Sequence, residues 1–307
     1  MLNYRKISKL DYGFIDELLN MSSDNHEFGI AYPRGDLVDI RSELLSYDQK
    51  LDESFYIIEK EKNKIGIIGI IYDDETIILV GPIFLRKYHV TSTIYECLCL
   101  FLNKKNYKDR EIIVYVVREN KELTHALLLM KATEKTKHIS MNYNVDEYSF
   151  GNSIDNESIV ELEKEEIQTL EKLRCLFEKN MPYPIDDTIN KFLDCLNEGY
   201  TIAVLFRDNH IIGFIIWMWS NELHFGRLDY LCIDKKYQRL GFGRKLMSYA
   251  VEKIHKRING LINPKEEFNL LHVDLSQSNS SAFKCYTDFG FKVDYYYTEY
   301  QLPIHLI

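Results

Sequence analysis

A strand-like apolar run ends at Leu231, Cys232 and Ile233. It is followed by Gln238, Arg239, Leu240, Gly241, Phe242, Gly243 and Arg244, and then at once by a helical pattern. Two glycines in so short a connection let the backbone turn with its N–H groups outward, and the start of a helix adds partial positive charge. A nest of this kind suits a diphosphate, and Arg239, Arg244 and Lys245 offer further cations to it. A lone Gly-x-Gly is also an ordinary surface turn, so the context has to decide. Further on, a strand carrying His272 and Asp274 runs to Asn279, a helix begins on the serines that follow, and Gly290 ends it between Phe289 and Phe291. Tyr286 lies four residues after Ala282 and so shares its helix face, from which a phenol can reach into a cleft and give up a proton.

These groups need a scaffold that delivers strand ends and helix starts to one place. The second half of the chain reads as an amphipathic helix over residues 159–177, another helix begun by Asp186 and Asp187 and stopped by Gly199, and strands over 200–206, 211–219 and 223–233. A helix over 243–258, a strand over 270–276, a helix over 281–288 and terminal strand segments over 291–302 complete it. The first half has the same order: helices near residues 15–19 and 37–45, strands over 55–59, 65–71 and 76–80, then a helix over 91–102, a strand over 111–117 and a helix over 123–130. A repeat of this length predicts duplication of a whole domain, with limits of 1–150 and 153–307 and a boundary in the polar stretch 149–157. The expected fold class is α/β, or mixed α+β: two tandem domains, each a mixed, splayed β-sheet flanked by helices.

Tyr237, Gln238, Arg239, Gly241 and Gly243 after a strand, followed by Asn279, Ala282, Tyr286, Gly290 and Phe291, resemble the GNAT N-acetyltransferase superfamily across residues 153–307. The resemblance implies that acetyl-CoA is the cosubstrate and a primary amine of a small molecule or peptide the acceptor. It implies that the backbone of Leu231, Cys232 and Ile233 pairs with the pantetheine arm and that the amides from Arg239 to Arg244 hold the pyrophosphate. Asn279 would then touch the pantetheine, and Tyr286 would protonate the departing thiolate.

For the general base two candidates stand. Asp274 shares its strand face with His272, and Asp229 is read as facing the same way as Leu231 and Ile233; each could equally be a packing or hydrogen-bonding residue. Met181, Pro182, Tyr183 and Pro184 form a proline-fixed segment suited to walling the acceptor pocket, and Trp217 and Trp219 share a strand face as core or as stacking surface. In the first half Tyr88 aligns with Tyr237, which puts His89 to Ile94 where the glycines should be. Asn120 then matches Asn279, with Leu123 and Leu127 in place of Ala282 and Tyr286. This predicts a first domain that keeps the fold, has lost acetyl-CoA binding, and serves as a structural partner or a wall of the acceptor site.

Composition narrows the rest. The net charge of -9 and the lack of a long Lys/Arg run argue against nucleic acid as a partner, and no apolar run is long enough to span a membrane. The chain reads as a cytoplasmic monomer or homodimer. Its six cysteines have neither zinc-ligand nor disulfide-framework spacing, so no metal is expected. The alternative to an enzyme is an acyl-CoA-binding regulatory or scaffold protein without turnover.

Overall fold

Residues 55–60 and 63–72 are apolar on alternate as well as successive positions, which is the pattern of strands covered on both faces. The chain reverses between them at Glu61 and Lys62, whose φ angles of 52° and 68° supply a left-handed turn. The computed structural model describes residues 2–31, 40–41, 44, 47–72, 75–104, 110–148, 159–163, 166–180, 188–221, 225–259 and 269–303. These divide into two compact units, Met1–Ile139 with Tyr295–Ile307, and Ser140–Asp294. The sequence-based limits treat each domain as one continuous segment, whereas here the end of the last strand returns to the first unit; the boundary stretch 149–157 lies outside the described residues.

The first unit contains β1 (Leu2–Lys6), α1 (Tyr12–Asp24), the single turn α2 (Leu51–Ser54), β2 (Phe55–Lys60), β3 (Asn63–Tyr72), β4 (Thr76–Phe84), α3 (Thr91–Lys104), β5 (Glu111–Val117) and α4 (Lys121–Leu129). Its strands run in the order β1-β2-β3-β4-β5, and β12 (Lys292–Leu302) follows β5 through pairs from Tyr297 to Leu302. β4 and β5 are parallel, and every other neighbouring pair in this series is antiparallel. One face packs Ile57, Ile67, Ile71 and Ile83 against Ile15, Leu18 and Leu19 of α1. The other packs Ile58, Ile68 and Leu79 against Leu98, Phe101 and Leu127 of α3 and α4.

The second unit begins within β6 (Thr133–Asn144) and holds β7 (Ile159–Glu161), α5 (Ile167–Asn180), α6 (Thr188–Asn197), β8 (Thr201–Arg207), β9 (His210–Ser220), β10 (Phe225–Ile233), α7 (Phe242–Asn259), β11 (Leu270–Ser276) and α8 (Ser280–Phe289). Strand order is β11-β10-β9-β8-β7, with β10 and β11 parallel and the remainder antiparallel. Leu170, Leu173, Phe177 and Phe192 of α5 and α6 cover Ile202, Val204, Phe214, Ile216 and Cys232. On the opposite face Trp217 meets Tyr249 of α7 edge-on at 6.3 Å.

Several elements depart from the sequence reading. Residues 159–161 pair with β8 and only Ile167–Asn180 is helical, because an apolar spacing of three residues suits either structure over so short a run. β1 and β6 have no counterpart in the sequence reading, and the terminal segments form one strand, Lys292–Leu302.

Candidate functional site

In the second unit β10 and β11 run side by side for three residue pairs, Phe225 with Leu270, Gly226 with Leu271 and Arg227 with His272, and pair no further. β10 continues alone with β9 to Ile233. Its register shifts between Leu228 and Tyr230, so Asp229 is the extra residue of a β-bulge. The bulge corrects one expectation. Leu231 and Ile233 point towards the first turn of α7, but Asp229 bonds Arg227 and the Tyr200 neighbourhood on the α5–α6 face, because an inserted residue reverses the alternation. Cys232 is buried in the α5–α6 core, where burial pushes its thiol up to about 12, so only its backbone is available to a ligand.

After β10 a short helical turn, Lys235–Tyr237, is capped by Asp234 and leads into the loop. Gln238 Nε2 donates to the Ile233 carbonyl at 2.9 Å and ties the loop back to the strand end. Arg239 and Gly241 have φ angles of 61° and 87°. Alternating left-handed residues turn successive N–H groups to one side, the form of an anion nest. Among the described residues, no group of the chain accepts a hydrogen bond from the amides of Leu240 to Arg244. Leu240 is 61% exposed, and the Arg244 guanidinium donates to the Asp288 carbonyl of α8 at 3.3 Å.

Gly243 tests whether this cradle fits a ligand. A Cβ placed there would lie 3.6 Å from Cys285 Sγ, 3.9 Å from Ile233 Cγ1 and 4.0 Å from Leu231 Cδ2, all ordinary contacts. The packing of the chain therefore does not require glycine at this position. Arg207, from the β8–β9 hairpin, lies 5.8 Å over the rings of both Tyr237 and Phe242 and adds a cation beside the loop. Sequence reading missed Arg207, since no spacing links that hairpin to the loop.

α8 forms the other wall. Asn279 caps it, its Oδ1 accepting from the Ala282 amide at 3.1 Å, and Gly290 at φ 124° ends it. Tyr286 is 5% exposed with its ring edge-on to Phe291 at 5.2 Å. On β11, Asp274 Oδ2 is 2.8 Å from His272 Nε2, and His272 Nδ1 is 2.9 Å from Asn142 Oδ1. On β10, Arg227 Nε donates to Asp229 Oδ1 at 2.7 Å, and its Nη2 donates to the Tyr200 hydroxyl. Burial pushes the Tyr200 phenol well up, so it stays protonated. Trp217 is fully buried, and Trp219 is 9% exposed and donates to Asn221. The segment Met181 to Pro184 lies outside the described residues.

The first unit has the same plan with its slot filled. β4 and β5 pair from Thr76 with Glu111 to Leu79 with Val114 and then part. Beyond that point Val116 pairs with Thr298 of β12 on one edge and with Ile30 on the other, while the Ala31 amide donates to the Tyr115 carbonyl at 3.4 Å. Asn120 caps α4 as Asn279 caps α8, but its Nδ2 also donates to the Gly29 carbonyl at 3.0 Å and its Oδ1 accepts from buried His89. Burial keeps that imidazole neutral by lowering its proton affinity. At the start of α3 the Thr91 hydroxyl and amide both donate to the Glu122 carboxylate, the amide at 2.6 Å, which holds that carboxyl below its usual range. With Tyr88 matched to Tyr237, Pro82 stands at the position of Leu231 and offers no N–H.

Among the described residues no group of His, Cys, Asp or Glu is placed to hold a metal ion, and no helix is long and apolar enough to cross a membrane. No curated protein matches the chain in sequence. A GCN5-related N-acetyltransferase from Sphaerobacter thermophilus superposes with a TM-score of 0.67 at 12% identity, over 99% of this chain and 96% of that one. A tandem GNAT protein from the clavulanic acid biosynthesis pathway does so with 0.66 at 9%, over 98% of each chain. A GNAT-family acetyltransferase from Colwellia psychrerythraea gives 0.55 at 12%, over 98% of this chain and all of its own. Residues 198–293, which carry the parted strands, the amide nest and α8, match the acetyltransferase (GNAT) domain family, and the chain as a whole has the fold of tandem GNAT proteins.

Proposed function

We propose that the second unit transfers an acetyl group from acetyl-CoA to a primary amine of a small molecule or peptide by direct attack. The observation that carries this reading is the parting of β10 from β11 beside the amides of Leu240 to Arg244. The nest would hold the diphosphate, the free edge of Leu231 to Ile233 would pair with the amide-bearing arm of the donor, and Asn279 Nδ2 would reach the same arm. Backbone N–H groups on that edge would stabilise the oxyanion as the thioester carbonyl is attacked. Tyr286 would donate the proton that the leaving thiolate needs. Asp229 and Asp274 are the candidate bases, one on each arm of the opening.

In the same reading the first unit takes no acetyl-CoA. Gly29 to Ala31 lie along β5 where a ligand would lie, Pro82 lacks the donor, and Glu122 supplies an internal anion to the α3 terminus.

A Gly243→Ala variant separates ligand approach from packing. The methyl has room and alanine favours a helix by up to about 1 kcal/mol, so Tm should hold or rise, while acetyl-CoA binding weakens by about tenfold or more as the cradle fills. Calorimetry on folded protein reads both; a variant that binds normally would show that the ligand approaches elsewhere. Turnover is tested by free-thiol release from acetyl-CoA across a panel of primary amines. Binding without release for any amine would favour an acyl-CoA-binding regulatory or scaffold role.

A further inference from the structure

The geometry points to Asp274 as the group that receives the acceptor amine, with buried His272 as the positioning residue behind it, the pair acting as one proton acceptor. This rests on the acetyl-transfer reading.

Arg227 and His272 are the last partners in the β10–β11 ladder, so their side chains project from one face of the sheet. Asp229 and Asp274 each lie two residues further on, one on either arm of the opening, and the bonds Arg227–Asp229 and His272–Asp274 keep both carboxylates on that face. The two differ in what stands behind them. Asp229 takes Arg227 Nε on Oδ1 at 2.7 Å and Nη2 on Oδ2 at 3.4 Å, so both of its oxygens are already engaged by one guanidinium fork. Asp274, with a side chain 38% exposed, takes His272, whose own side chain is 2% exposed.

The ring orientation of His272 follows from the groups around it. Asn142 Nδ2 donates to Asp294 Oδ2 at 3.0 Å, which turns Asn142 Oδ1 to the imidazole as an acceptor and requires a proton on Nδ1. Nε2 is left facing a carboxylate oxygen at 2.8 Å. At that distance a proton taken up by either group would lie in a hydrogen bond between them and be shared by the pair. The charged groups facing it, among the described residues, are Arg227 and Asp229 from β10 and Asp294 behind Asn142; the Phe225 ring stacks on the imidazole at 5.8 Å. In the step proposed, an acceptor ammonium gives one proton to Asp274 and thence to the pair. The amine nitrogen forms its bond to the acetyl carbon, the C–S bond breaks, and the sulfur takes the proton from Tyr286. The remaining excess proton on nitrogen restores Tyr286, and the proton on the pair returns to solvent.

The test compares wild type with His272→Gln, Asp274→Asn and Asp229→Asn at saturating acetyl-CoA and amine. In the wild type kcat should rise with pH along one limb. His272→Gln should move that limb by a pH unit or more and lower its plateau by about 10²-fold, with KM for acetyl-CoA within about twofold. Asp274→Asn should lower the plateau further, and Asp229→Asn should leave the limb in place. An unchanged limb in His272→Gln, or its loss only in Asp229→Asn, overturns the assignment while the acetyltransferase reading stands. A readout without turnover is the imidazole 15N spectrum of His272. It should show both ring nitrogens protonated in the wild type at a pH where Asp274→Asn leaves Nδ1 alone protonated, and a single neutral tautomer in both proteins overturns the pair even if no amine is acetylated.

Discussion

Tyr286→Phe is expected to lower kcat by about 10²- to 10³-fold and to leave acetyl-CoA binding nearly intact, since a positioned proton donor contributes about that much. The ring of Tyr286 is packed edge-on to Phe291 in a buried site, and phenylalanine fills the same volume. Only the hydroxyl is deleted. The loss should appear in kcat and kcat/KM together, because a leaving thiolate exists only late on the reaction path. Acyl donors whose leaving group needs no proton should recover part of the rate. A variant that loses acetyl-CoA binding or its folded baseline instead would make Tyr286 a packing residue.

The second large effect concerns stability. Trp217→Ala should cost about 3–5 kcal/mol in urea unfolding, the range for emptying a large aromatic site in a core. Trp217 has no exposed surface, stands in register with Thr201 on one side and Leu228 on the other, and meets Tyr249 of α7. Its indole Nε1 has no hydrogen-bond partner among the described residues. Trp217→Phe should therefore cost less than about 2 kcal/mol, because it removes volume but breaks no hydrogen bond. If Trp217→Ala kept its stability and lost only amine affinity, the residue would belong to the acceptor site rather than the core.

What could be read beforehand divides along physical lines. β5 and β11 match the sequence reading residue for residue, because an unbroken apolar run between breakers has a single solution. The sequence reading aligns Asn120 with Asn279 without assigning it a cap, but the helix start after Asn279 was legible for a similar local reason, a side-chain acceptor three residues before a helical amide. β6 was not: its first half, Thr133 to Lys137, is polar and mostly exposed and carries no alternation to read. The direction of Asp229 was misread because one inserted residue reverses every later side chain and leaves no mark on composition. Long-range occupancy was out of reach as well. That Gly29 lies on Asn120, that Glu122 faces Thr91, and that residues from Tyr295 onwards complete the first unit are facts of tertiary pairing. A repeated element order predicts two similar sheets, but it does not say which chain segment closes each one.

Calorimetric titration of the full chain with acetyl-CoA, paired with amide hydrogen exchange, addresses the main assertion most directly. One molecule should bind per chain, with new protection at residues 239–244 and along 231–233, and none at 29–31 or at Thr91. Two equivalent sites, or protection gained at Thr91 and Ala31 while the amides of 239–244 exchange as before, would contradict it.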